Sequence, residues 1–377
     1  MTPDEPALDR SAPDPDALEA LIGQVITDAG GALIVPLALL GDRLGLFSAL
    51  ASAGPATAEV LAQRTGLSER YLREWLRAMA AAGYITYLGS DSGQDADADD
   101  GDRSARSARY QLSPEQSEAF TNPDSPGYVS GAFQNLTAAT RALDRLTEAF
   151  RTGAGIAWHE QHPDMFEGTE RFFRPGYLAN LTSSWIPSLT GAEKTLADGG
   201  QVADIGCGFG ASTIIMAQAY PNSTFEGLDY HRPSVEAARD RAAAAGVASR
   251  VTFRVAGADE LTGRYDLITF FDCLHDMPDP LGALRAARAA LVPGGSVMLV
   301  EPMAWDSVAD GLNPLGKVFA AASTFVCLPS GLSAAPAYGL GNQAGPARTR
   351  EVARVAGFSA AGVAASTDFN LVYELRP

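Results

Sequence analysis

From Gly199 to Val300 the chain repeats one pattern, a short apolar run, a turn, then an amphipathic stretch. The apolar runs are Val202–Ile205, Thr224–Leu228, Val251–Val255, Leu267–Phe271 and Val297–Val300, and helical patterns start at Ser212, Ser234 and Pro280. Alternation of this kind constrains the fold class strongly: α/β, with a mostly parallel sheet covered by helices on both faces. A helical pattern at Ala347–Ala356 and two last strand candidates, Ala361–Ala365 and Asn370–Leu375, bring the sheet to seven strands.

The remaining bounds come from composition. The chain has 377 residues, 46% of them hydrophobic and 19% charged, the profile of an ordinary globular protein with room for more than one domain. A formal charge of −17 and a pI near 4.6 argue against nucleic-acid binding through the overall field, because phosphates need a basic face. Cys207, Cys273 and Cys327 show no paired spacing and no export signal opens the sequence, so the expected location is cytoplasmic. The longest apolar run, Ala32–Leu40, is interrupted by Pro36 and falls short of the roughly 20 residues that span a bilayer, so no membrane segment is expected.

Ahead of the alternating region the sequence divides further. Residues 1–16 are acidic and proline-rich and read as a disordered leader. Helical spacing runs from Ala17 to Leu50, with Leu44, Phe47 and Leu50 on one face. Thr57 caps one following helix, Gly66 ends it, Ser68 caps the next and Gly83 stops that one, which makes a helix-turn-helix. Two short strands, Tyr84–Tyr87 and Arg109–Leu112, flank a polar tip and complete a winged helix, residues 17–122 with a mobile wing tip at 88–108. A helical connector and lid follow at 123–190, then the α/β domain at 191–377. Arg70, Arg73 and Arg77 share a helix face that could meet phosphates, but residues 1–150 hold 22 acids against 11 arginines and no lysine. Pairing of these arginines within their helix or with a partner subunit is the favoured reading.

The turn after the first strand of the α/β domain, VADIGCGFGAS, fits G-x-G-x-x-[GA] through Gly206, Gly208 and Ala211. Asp204, two residues ahead of the first glycine, would repel a pyrophosphate yet suit a ligand with an ammonium or sulfonium group, and no Lys or Arg lies between Gly199 and Tyr230. Both features favour S-adenosylmethionine, its carboxylate set against the loop and helix N–H groups. Asp229 ends the second strand where a ribose-binding carboxylate is expected.

The runs ADIGCGFG, GLDY, GADEL, LHDMPDP and PGGSVMLVEPM together resemble class I S-adenosylmethionine-dependent methyltransferases. With the winged helix in front and AWHEQHPDMFEGTERFFRPGY between, the chain is most similar to the two-domain small-molecule O-methyltransferases, especially an actinobacterial branch. The resemblance implies a Rossmann-like domain preceded by an α-rich winged-helix domain that forms a homodimer. It places Asp204, Gly206, Cys207, Gly208 and Gly210 in the methionine-binding turn, Asp229 on the ribose hydroxyls and Tyr230 on the adenine. Ala258 or Asp259 reads the adenine amino group, and Phe271 and Asp272 close the cofactor set at the end of the fourth strand.

Methyl transfer to a hydroxyl needs alignment and a proton acceptor. His275, in an H-D-x-x-D run at the carboxyl end of the fourth strand, is the expected general base, with Glu301 orienting its imidazole. Asp279 and Pro280 already cap the next helix, which leaves His275 free. No metal is expected: a site on Asp272, His275 and Glu301 lacks the acid–Asn pair of the metal-dependent relatives, and WHEQH departs from zinc-protease spacing. Trp158, His159, Phe166, Phe173 and Tyr177 are expected to line the substrate pocket, with an aromatic core stripe as the alternative for Phe172 and Phe173. Residues 305–345 are expected to close the pocket but carry no pattern that names a substrate. The expected function is methyl transfer from S-adenosylmethionine to a small-molecule hydroxyl, with neither nucleic acid nor membrane as partner. The alternatives are a non-methylating enzyme of the same fold and a ligand-sensing winged-helix regulator.

Overall fold

A computed structural model describes residues 12–90 and 106–377, so most of the expected leader and wing tip, including Asp91–Asp100, lies outside the described residues. The chain divides into two compact units, Met1–Ser117 and Glu118–Pro377.

The first unit begins with α1 (Pro15–Arg43), capped by Asp14, whose carboxylate accepts from the Asp16 N–H at 3.0 Å. Sequence reasoning starts this helix later and interrupts its apolar run at Pro36; instead the helix carries Pro36 inside it and reaches 29 residues, long and apolar enough to cross a bilayer by length and composition. Gly45, at φ +66°, then separates α1 from α2 (Leu46–Ala53), so Leu44 stands exposed outside the face that buries Leu46, Phe47 and Leu50. The helix-turn-helix is α3 (Ala58–Thr65) and α4 (Glu69–Ala81). Thr57 caps α3 as expected, whereas the Ser68 side chain makes no cap bond to α4. Leu72, Trp75, Leu76 and Met79 recur at helical spacing and are buried, and the Trp75 indole N–H donates to the Leu37 carbonyl at 2.9 Å. A Cβ at Gly41 would stand 2.3 Å from that indole, so the close approach of α1 to α4 requires glycine there. Arg70, Arg73 and Arg77 all pair with acids of α4 itself, Arg70 and Arg77 with Glu74 and Arg73 with Glu69. The wing strands are β1 (Thr86–Gly89) and β2 (Arg109–Gln111), antiparallel.

The second unit is built on a seven-stranded sheet: β3 (Gln201–Ile205), β4 (Thr224–Asp229), β5 (Val251–Val255), β6 (Tyr265–Phe271), β7 (Leu291–Pro302), β8 (Ala360–Ser366) and β9 (Asn370–Arg376). Its order is β5-β4-β3-β6-β7-β9-β8, parallel throughout except for β9, which runs antiparallel to both neighbours. The mostly parallel seven-stranded sheet expected from the sequence is therefore present. Alternating residues feed two cores: Leu267, Phe271, Met298 and Val300 join one, Ile268, Phe270, Val297 and Leu299 the other. Helices Ala211–Ala219 and Arg232–Ala244 pack into the first core, around the fully buried Trp185, and Pro280–Ala290 and Gly345–Val355 into the second. The strand order reverses at β3, between β4 and β6, and in open α/β sheets a ligand crevice opens at the carboxyl ends beside such a reversal.

Candidate active site

A cavity of about 710 Å³ opens at that reversal, wholly within the second unit. Its size is that of pockets that enclose small organic ligands. The glycine turn, the ends of β4 and β6, helix Pro163–Asn180 and the segment 318–342 all contribute to its wall.

The turn is built by three residues in the left-handed region, Gly206 at φ +69°, Gly208 at +52° and Gly210 at +80°. At Gly206 a Cβ would meet the Cys273 sulfur at 2.8 Å; at Gly208 it would meet nothing within 4 Å. The Gly206 and Cys207 N–H groups donate to Leu228, and the Gly208 N–H donates to an Asp229 oxygen at 2.9 Å. These donors are thus committed within the protein, and the part of the turn able to meet a carboxylate is the start of helix Ala211–Ala219, whose Ala211 and Ser212 line the cavity.

Asp204 departs from the sequence reading. That reading aims its carboxylate at a cationic ligand, but it is 1% exposed and does not line the cavity. Oδ2 accepts from Ser212 at 2.7 Å and Thr213 at 2.6 Å, and Oδ1 from Thr269 at 2.9 Å. Burial pushes this carboxyl up to about 6, against the pull of the three hydroxyls. Its position ties the first turn of the helix to β3 and β6. Gly210 also stays off the cavity, packed against Phe253 and Ala238.

Cys207, Asp229, Tyr230, Ala258, Asp259, Phe271 and Asp272 do line the cavity, as do Trp158, His159, Phe166, Phe173 and Tyr177. Rings interlock along one wall: His159 stands edge-on to Tyr230 at 5.9 Å, Trp158 edge-on to Phe166 at 5.4 Å, and Phe166 lies 4.3 Å from His231. His162, the second histidine of WHEQH, caps helix Pro163–Asn180, accepting from the Asp164 N–H at 3.2 Å. Asp272 sits at φ +50°, a strained value for a residue with a side chain. Its carboxylate accepts from Tyr177 at 2.9 Å and from Asn370 at 2.7 Å. Burial, then the charge of Glu301, pushes it up to about 8, with both hydrogen bonds opposing.

His275 is 3% exposed, in a 3₁₀ turn (Leu274–Asp276) directly after β6. Its Nδ1 bonds to Glu301 Oε2, and Nε2 lies 3.2 Å from Asp276 Oδ1. Glu301 itself stands behind the imidazole, off the main cavity. Burial alone would lower the imidazole, but the Glu301 and Asp276 carboxylates outweigh it and hold His275 well above the usual histidine range. Nδ1 is thus engaged by Glu301, while Nε2 stands against Asp276 and the imidazole also hydrogen-bonds the Cys327 side chain.

Two contributors escaped sequence reasoning. Asn370 reaches Asp272 only because β9 inserts beside β7 with Asn370 opposite Pro302. Cys327 closes a π-helical turn (Ser323–Cys327) in a stretch without periodicity, so no local signal marks it.

Six acids, Glu170, Asp229, Asp259, Asp272, Asp276 and Asp279, line the cavity, and among the described residues no Lys or Arg does. This donor set fits a cationic sulfonium cofactor and opposes a pyrophosphate. The open space above Gly208, the helix start that lines the cavity and the Asp229 carboxylate fit the remainder of S-adenosylmethionine.

Comparison with known proteins agrees. Residues 196–323 match the family model described as a methyltransferase domain, and residues 31–94 match the Rv2258c-like winged HTH domain. A ubiquinone biosynthesis O-methyltransferase of Bordetella avium (strain 197N) is 35% identical over 133 residues, 34% of this chain and 52% of that protein. The 27-O-demethylrifamycin SV methyltransferase of Amycolatopsis mediterranei (strain S699) is 30% identical over 169 residues, 42% of this chain and 57% of that protein. The chain thus spans about half the length of these curated relatives. Among solved structures, the mitomycin 7-O-methyltransferase MmcR shares the fold with a TM-score of 0.67 at 19% identity, over 96% of this chain and 100% of that one. Human N-acetylserotonin methyltransferase, solved with S-adenosylmethionine, does so with a TM-score of 0.69 at 16% identity, over 97% and 99%. Residues 196–323 therefore match a methyltransferase domain, preceded over residues 31–94 by a match to an Rv2258c-like winged helix-turn-helix domain, on a fold shared with these solved methyltransferases.

Proposed function

We propose that the protein transfers a methyl group to a hydroxyl oxygen of a small, largely apolar acceptor, with His275 as the general base. The observation that carries this reading is the buried His275–Glu301 pair at the cavity wall, with Glu301 behind the imidazole on Nδ1. When bound, S-adenosylmethionine supplies an electrophilic methyl on a positively charged sulfur. The chain's own residues then have three tasks. The cavity's acids meet the cationic cofactor, with Asp229 and Tyr230 at the end of β4 in the cofactor half. The aromatic side chains from Trp158 to Tyr177 cover the acceptor and exclude water. Nε2 of His275 takes the hydroxyl proton while Glu301 stabilises the imidazolium that results. The absence of Lys and Arg from the described lining favours neutral acceptors over carboxylates and phosphates.

The test is His275→Ala. With folding and cofactor binding retained, kcat should fall at least about a hundredfold; a loss under tenfold would overturn the base assignment. The same proposal includes a homodimer formed through α1, where Leu18, Leu21, Ile22, Val25, Ile26 and Leu33 make one exposed apolar stripe at helical spacing. It also places the enzyme in the cytoplasm, where three free cysteines persist.

A further inference from the structure

Cys327 is buried beside the proposed base, yet methyl transfer assigns it nothing. Its Sγ, a His275 imidazole nitrogen and an Asp276 carboxylate oxygen lie within 4.8 Å of one another, and all three residues line the cavity. Three separate features hold them there. The 3₁₀ turn after β6 sets His275 and Asp276 side by side, and the π-helical turn brings Cys327 across from them. The Gly341 N–H then donates to the His275 carbonyl at 3.2 Å, fastening the segment that carries Cys327 against that turn.

Cys327 hydrogen-bonds both His275 and Asp276, but one acceptor is left over, and the three side chains match a ligand set. Asp276 Oδ1 is buried and accepts no hydrogen bond, although it stands only 3.2 Å from His275 Nε2. Two atoms bound to one tetrahedral zinc ion at about 2.0–2.2 Å are themselves roughly 3.4 Å apart. Glu301 on Nδ1 supplies the carboxylate behind a ligating histidine that fixes the ring in metalloprotein sites. One imidazole, one carboxylate and one thiolate neutralise a divalent cation, and the cavity side stays open for a fourth ligand.

We propose that His275, Asp276 and Cys327 form a binding site for one thiophilic divalent cation such as Zn²⁺, and that the bound ion silences methyl transfer by occupying His275 Nε2. Binding releases the Cys327 thiol proton to solvent, together with any proton on Nε2, and no redox change is involved. The inhibitory half rests on His275 being the base; the ion site does not.

Cobalt(II) separates the two. Titrated into the chelator-treated full-length protein, it should bind at one equivalent with a thiolate-to-cobalt charge-transfer absorption that one equivalent of Zn²⁺ abolishes. Cys327→Ser, with its tryptophan fluorescence unchanged, should lose that absorption, and Asp276→Asn should weaken cobalt binding at least about tenfold. No absorption in the wild type, or an absorption that survives Cys327→Ser, overturns the site. In turnover assays one equivalent of Zn²⁺ should stop methyl transfer and EDTA restore it. Cobalt binding without zinc inhibition would leave the ion site standing and overturn both its inhibitory role and His275 as base.

Discussion

Asp204→Asn distinguishes a buried strut from a ligand-facing acid. The carboxylate accepts three hydroxyl bonds in a fully buried site, and burial raises it from 3.8 to about 6. Because the folded-state value lies above the unfolded one, the folded protein binds more protons between them. Its stabilisation is therefore complete below the unfolded value and is lost as pH rises through about 6. The full difference is about 3 kcal/mol, of which about 2 kcal/mol falls between pH 4 and pH 7. Asparagine keeps the volume and an acceptor oxygen for Ser212 and Thr213. Thr269 can turn its proton to the Ala203 carbonyl, already 3.4 Å away. Asparagine does not titrate, so the stability gap between wild type and Asp204→Asn should move by about 2 kcal/mol in the variant's favour from pH 4 to pH 7. Urea unfolding followed by tryptophan fluorescence at pH 4, 5, 6 and 7 measures the gap and cancels the other buried carboxylates. A gap that stays flat across this range would refute the strut and return Asp204 to solvent or ligand.

Two other predictions concern the base and the dimer. The rising limb of kcat/KM against pH should lie above the usual histidine value of about 6.5, because Glu301 and Asp276 favour the protonated ring and the base must first lose that proton. Glu301→Gln should move the limb to lower pH and cut kcat by about tenfold or more, whereas an unmoved limb would detach Glu301 from the base. Light scattering should give a dimer for the wild type and a monomer for Leu21→Asp/Val25→Asp, since both positions lie on the exposed stripe of α1; a monomeric wild type would contradict the dimer.

Much of the fold was legible because periodicity and turn residues report on backbone. All seven strands of the sheet fall on the apolar runs, and Gly206, Gly208 and Gly210 adopt the positive φ that the turn demands. The errors share one cause: sequence gives residue type, while side-chain direction depends on what the fold puts opposite. Asp204 is acidic beside a ligand loop, but it points inward because Thr269 of β6 and two hydroxyls of the next helix await it. Helical spacing runs on from Ala17 to Leu50 in the sequence, yet α1 ends at Arg43 and Gly45 turns the chain, which leaves Leu44 off the buried face. The Asp272–Asn370 bond spans 98 residues and exists only through the antiparallel insertion of β9, and Cys327 meets His275 through a turn with no sequence signature.

Calorimetric titration of the protein with S-adenosylmethionine, S-adenosylhomocysteine and NAD decides which cofactor the cavity takes. An acidic cavity whose described lining has neither Lys nor Arg predicts micromolar binding of the two sulfur ligands and none of NAD. Binding of NAD, or no binding of either sulfur ligand by folded protein, would contradict the account.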